Sequence, residues 1–167
     1  RGEARLAARP DISHVALVHH ETTTGLLNPL PAVAEVAARH GRRLIVDATS
    51  SLFGEPLDLT QDGIDFVTAS ATKCAQGISG VAFVLARRSA LEALRGQPRR
   101  SVSLDLVTHY AMQEQDNTPF TPAVQVFFAL RQALLELERE GVDARIKRYA
   151  ENARVLRAGM ARLGFTI

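Results

Sequence analysis

HVALVHHETTTGLLNPLPAVAEVAARHGRRLIVD, residues 14 to 47, holds one full alternation between two kinds of element. Its first six residues, His14 to His19, are a short apolar run suited to a buried strand. Pro31 to His40 then carries apolar residues at helical spacing, with Pro at the start and Gly41 just past the end. Arg43 to Asp47 returns at once to an apolar run. Strand, helix and strand in this order predict a sheet-centred α/β domain, a mostly parallel sheet flanked by helices.

Outward from this unit, Ile64 to Ala69 and Val81 to Ala86 read as two further buried strands. After Arg99 and Arg100 the character changes. Val124 to Glu140 and Val142 to Leu163 both read as long amphipathic helices separated around Gly141. In the first, Val124, Phe127, Phe128, Leu130, Leu134 and Leu137 fall near one face. The pattern leaves the order and direction of the strands open, and there is no internal repeat.

At 167 residues with 46% hydrophobic content, the chain has the bulk of one soluble domain with a real interior. A net charge of only +2, with arginines scattered rather than massed with aromatics, argues against nucleic acid as a partner. One cysteine, Cys74, excludes an internal disulfide and a multi-cysteine metal site, so a reducing, cytoplasmic setting is expected. No run of eighteen apolar residues is present, which argues against a membrane partner. The chain begins at Arg1, and Gly164 to Ile167 read as the start of another strand. The expectation is a piece of a longer protein, truncated at both ends.

Four clusters stand at loops that follow or link these elements: HHETTTGLLNP (19 to 29), DATSS (47 to 51), SATK (70 to 73) and NTPFTP (117 to 122). In a parallel sheet the carboxyl ends of several strands converge on one crevice. Asp47, Lys73, Thr22, Ser70 and Thr72 could then share a site. Taken singly, each has a plainer reading. Lys73 would be a solvated loop charge, Asp47 a helix cap or turn former, Thr22 to Thr24 with Gly25 a polar turn, and Cys74 a small packing residue. His19 and His20 would close a strand, though an imidazole could also stack on a flat cofactor ring. The combination changes the balance. A lysine able to form a Schiff base, an acid for a pyridinium nitrogen and hydroxyls for a phosphate are the parts that pyridoxal phosphate needs.

HHETTTGLLNPL, VDATSS, SATKCAQGISGVAFVLARR, RRSVSLDL and NTPFTPAVQ together resemble the class V aminotransferases of fold type I, over nearly all of the chain. Within that family the motifs are most similar to the branch that transfers the amino group of 2-aminoethylphosphonate to pyruvate, giving phosphonoacetaldehyde and L-alanine. The resemblance implies that Lys73 carries the cofactor, pyridoxal 5'-phosphate, and that Asp47 faces its ring nitrogen. It puts Thr22 near the ring's phenolic oxygen and Thr72 at a phosphate-contacting position that is often Asn or Gln in the family. Thr121, with Thr118 as an alternative, falls where such homodimers lend a hydroxyl to the partner subunit's phosphate, although Val107 to Gln115 depart more from the pattern. The small substrates, 2-aminoethylphosphonate and pyruvate, would be held by an arginine fork outside this chain. Residues 1–122 would be part of the large cofactor domain, without its N-terminal portion. Residues 123–167 would be long helices leading into an absent C-terminal small domain, and the chain alone would be inactive. An alanine–glyoxylate type of class V transaminase is the nearest alternative. A non-catalytic oligomerisation or regulatory domain is another, and a cysteine desulfurase fits less well for want of a second cysteine.

Overall fold

The computed structural model describes residues 2–166. Helix α1 (Gly2–Ala8) precedes strand β1 (His14–Val18), helix α2 (Leu30–Arg39) and strand β2 (Arg43–Asp47). Strands β3 (Phe66–Ser70) and β4 (Ala82–Ala86) follow, then the short helices α3 (Arg88–Glu92) and α4 (Leu106–Gln113). Two long helices, α5 (Val124–Glu140) and α6 (Val142–Arg162), complete the described chain.

The four strands form one sheet in the order β1-β2-β3-β4. β1 runs parallel to β2, with Val18 opposite Asp47, and β2 runs parallel to β3, with Asp47 opposite Thr68. Strand β4 returns antiparallel, with Ser70 opposite Ala82. The carboxyl ends of β1, β2 and β3 therefore lie at one end of the sheet. The loop from β3 to β4 is at that end too, because an antiparallel neighbour starts where its partner stops.

Helix α2 is the crossover that two parallel strands require, and it starts with Pro31 in its first turn, where a missing N–H costs nothing. Its Leu30 joins Leu44, Val46, Ala48, Leu52, Ile64, Val67 and Ala69 in one buried cluster. Residues such as Leu44, 1% exposed, each contribute about 2 kcal/mol by leaving water. The core thus sits on the two central strands. Between α5 and α6 the chain turns at Gly141, whose φ of +84° is a conformation that side chains with a Cβ rarely adopt.

Two expectations, on the outer strands and on the C-terminal end, are corrected here. The outer strands are not buried: Val18 on β1 and Val84 and Leu85 on β4 are exposed, because among the described residues each of these strands has a neighbour on one side only. The apolar face of α5 is covered only in part. Ala133 and Leu137 are buried while Val124, Phe127, Phe128 and Leu134 face outward, since the stripe is wider than the surface the other described elements present to it. Finally, Gly164 to Thr166 form no strand, and Ile167 lies outside the described residues.

Candidate active site

The ends of the parallel strands are tied together by the backbone before any side chain acts. The His19 N–H donates to the Asp47 carbonyl at 2.9 Å, and the Ala48 N–H to the Thr68 carbonyl at 2.9 Å. The HHETTTG segment then folds back on itself, with the Glu21 N–H on the Leu26 carbonyl at 2.9 Å and the Asn28 side-chain amide on the Val18 carbonyl at 2.8 Å. This brings the Thr22 hydroxyl to 2.6 Å from the Ser50 hydroxyl in the loop after β2. From the other side, the Cys74 thiol lies 3.8 Å from the Ser50 carbonyl, on which it donates. Ser50 is therefore the meeting point of the loops that follow β1, β2 and β3. Beneath it, the buried ring of His19 places Nδ1 3.0 Å from the buried Ser51 hydroxyl. Burial pushes the His19 pKa down, against the smaller opposing effect of Glu55.

Asp47 ends β2 with its Oδ1 accepting the Thr49 N–H at 2.9 Å. After β3, the Ser70 and Thr72 hydroxyls are 3.0 Å apart, and the Thr72 N–H also donates to Ser70 Oγ at 3.3 Å. The lysine loop closes through the Gln76 N–H on the Lys73 carbonyl at 2.8 Å and the Gly77 N–H on the Ala71 carbonyl at 2.7 Å. Within it Gln76 takes a left-handed φ of +61°. Lys73, Thr72 and Thr22 are exposed at the surface of this cluster, and Asp47 is half-buried.

The predicted residues Thr22, Asp47, Ser70, Thr72 and Lys73 thus gather at one end of the sheet. Thr121 does not visibly join them. It is exposed in the link between α4 and α5, and among the described residues no hydrogen bond connects it to these loops. Thr118 turns its hydroxyl to the Phe120 carbonyl at 2.8 Å. Arg99 is paired with Asp105 at 3.2 Å, beside the N-terminus that Asp105 caps on α4. Sequence reasoning missed Arg145 on α6, which is 1% exposed and donates from Nη1 to the Cys74 carbonyl at 3.0 Å. It also passed over Ser50 and Ser51 as individual residues, although the DATSS run that contains them was the available signal.

The donor set suits a flat, phosphorylated cofactor bearing an aldehyde. An amine and several hydroxyls are open to solvent, an acid stands at a strand end, and the His20 Nδ1 is buried with no hydrogen-bond partner among the described residues. No group of three His, Cys, Asp or Glu among the described residues could hold a metal ion.

The class-V aminotransferase family model matches residues 3–166. The chain belongs to the class-V aminotransferases. It is 51% identical over 166 residues to a 2-aminoethylphosphonate–pyruvate transaminase from Aeromonas hydrophila, covering 98% of this chain and 43% of that protein. The pyridoxamine–pyruvate aminotransferase of Mesorhizobium loti superposes with a TM-score of 0.88 at 30% identity, over 99% of this chain and 43% of its own. An alanine–glyoxylate aminotransferase from Nostoc sp. gives a TM-score of 0.85 at 27% identity, over 99% and 44%. This class-V chain spans less than half the length of the relatives it matches. The α/β architecture with its mostly parallel sheet is that of the aminotransferases it superposes on.

Proposed function

We propose that the protein to which this chain belongs is a pyridoxal-phosphate-dependent transaminase that moves the amino group of 2-aminoethylphosphonate to pyruvate, leaving phosphonoacetaldehyde and L-alanine. One observation carries the choice of substrate. Identity is 51% to the Aeromonas hydrophila enzyme of that name, against 27% to the alanine–glyoxylate enzyme of the same fold. A common fold is shared across chemistries, so the higher identity is what favours this one.

In this reading the bound cofactor supplies an electron sink for the cleaved C–H bond. Lys73 would hold the cofactor through its Nζ and, as a free amine, would take the proton from the amine-bearing carbon of the donor. Asp47 keeps the ring nitrogen protonated. Thr22 donates toward the phenolic oxygen and Thr72, beside the lysine, toward the phosphate. Thr121 acts across a homodimer, on the partner subunit's cofactor, which accounts for its standing apart from the other residues within one chain. The phosphonate carries about two negative charges and calls for an arginine fork; Arg99, already paired with Asp105, is not assigned to it. Residues 1–122 are read as part of the cofactor domain and residues 123–167 as helices leading toward a second domain, in a cytoplasmic enzyme.

The experiment is a comparison of kcat/KM on the full-length enzyme for two pairs, 2-aminoethylphosphonate with pyruvate and alanine with glyoxylate. The first pair is expected to be the better. A higher value for alanine with glyoxylate moves the protein to the alternative branch.

A further inference from the structure

Arg145 is a buried guanidinium on a helix that is otherwise charged and largely exposed, and a charge is taken out of water only where partners compensate. Its Nε meets Glu140 Oε2 at 2.7 Å, and Arg148 grips the same carboxylate at 2.7 and 3.1 Å. The hydrogen bonds from Arg148 and Arg145 hold the Glu140 pKa down to about 2, so the carboxylate stays ionised at neutral pH. If the cluster served only to staple α5 to α6, the Glu140–Arg148 pair would suffice on the surface. Arg145 reaches further inward instead. Its Nη1 donates to the Cys74 carbonyl at 3.0 Å and approaches the Ala75 carbonyl at 3.5 Å. One turn along the same face of α6, the Tyr149 hydroxyl accepts from the Gln76 side-chain amide at 3.0 Å. Three consecutive residues after Lys73 are thus held by one face of α6.

We infer that Arg145, itself oriented by Glu140, is a positioning residue for Lys73: it fixes the carbonyls of Cys74 and Ala75 and so sets where the lysine side chain leaves the loop. The loop needs such a clamp. Residues 71–77 lie outside the sheet and include the left-handed Gln76, while a lysine side chain has four rotatable bonds of its own and inherits its position from the backbone. The planar guanidinium suits the task because one rigid fork serves Glu140 on one edge and the carbonyls on another; an ammonium is a single point charge and cannot reproduce both angles. This inference rests on the proposed role of Lys73.

The test uses the full-length protein freed of cofactor, with Arg145→Met and Arg145→Lys beside the wild type. Amide hydrogen exchange is measured over residues 73–77 and over β2. In parallel, added pyridoxal phosphate is fixed with borohydride at timed intervals and the modified peptide located; within residues 1–167 the lysines are Lys73 and Lys147. Arg145→Met is expected to speed exchange over residues 73–77 by roughly tenfold without changing β2, and to slow capture on Lys73 by a similar factor. Arg145→Lys should fall between the two, a partial rescue that a general loss of stability would not produce. Should Arg145→Met fail to fold, Tyr149→Phe and Glu140→Gln are expected to show the same two changes in smaller degree. Capture on Lys73 at the wild-type rate in the folded variants overturns the positioning role, whatever the exchange shows. A wild-type adduct on Lys147 or any other lysine instead of Lys73 rejects the functional reading of the lysine, and this inference with it.

Discussion

Asp47 shows how one carboxylate can be both a turn former and a candidate catalytic acid. Its Oδ1 accepts the Thr49 N–H at 2.9 Å, which fixes the chain's exit from β2. Asparagine keeps that acceptor and loses only the charge. Asp47→Asn in the full-length enzyme is therefore expected to retain a thermal midpoint near that of the wild type, while turnover falls on the order of a hundredfold or more. Wild-type turnover in that variant would reduce Asp47 to its turn. His19, buried against Ser51, makes a prediction about pH. Its folded-state pKa lies below the unfolded value of about 6.5, so in the window between the two the unfolded chain binds the extra proton. Stability from this group is fully present above about pH 6.5 and declines as pH falls through that window. Urea midpoints of the full-length protein should drop between pH 7.5 and 5.5, and His19→Asn should flatten that dependence. An equal slope in the variant would mean that other groups carry it.

The element that shapes the site is the irregular segment between β2 and β3, more than any helix. Within it, Gly54 is buried against Cys74, and a Cβ there would stand 2.5 Å from Cys74 Sγ and 3.2 Å from Cys74 Cβ. Cys74 is in turn the residue next to Lys73. Gly54→Ala is expected to destabilise the full-length protein by about 1–3 kcal/mol, the usual scale of overpacking. Adding Cys74→Ala removes the closer clash and should recover part of the loss, as urea denaturation of the single and double variants would show; no recovery would place the strain elsewhere. Burial pushes the Cys74 thiol pKa up, with the charge of Glu55 adding to it. That suits a packing residue rather than a nucleophile.

At the scale of the molecule, the cluster around Ser50 lies open: Lys73, Thr72 and Thr22 all face water among the described residues. Electrostatic help to a developing charge is strongest where water is excluded. Residues 1–167 expressed alone with pyridoxal phosphate are therefore expected to give no alanine from 2-aminoethylphosphonate and pyruvate above background. Val124, Phe127 and Phe128 on α5 and Leu156 on α6 are exposed together with Val84 and Leu85 on β4. Apolar surface of this extent favours self-association. Light scattering on the isolated chain should report species larger than a monomer at micromolar concentration. Turnover near that of the full-length enzyme would show that the site is complete within these residues.

By itself the sequence determined the alternation of elements and the chemistry gathered at their ends. Hydrophobic period and turn residues are local, so β1, α2, β2, β3, β4, α5 and α6 were all legible within a residue or two of their bounds. The aldehyde-binding potential of a lysine and the spacing of Asp47 from it were legible as well, because side-chain chemistry is written in the residue names. Three things were decided only by the tertiary structure. Among the described residues strand order left β1 and β4 with one neighbour each, and a short apolar run reads the same there as at the centre. The parallel pairing of β2 with β3 put the Lys73 loop at the same end as Asp47, a matter of direction that periodicity does not encode. Arg145 carried no local signal at all. Its burial follows from how α6 lies across the lysine loop, where carbonyls 70 and 71 residues earlier in the chain accept its N–H groups, and contacts between residues so far apart exist only once the chain has folded.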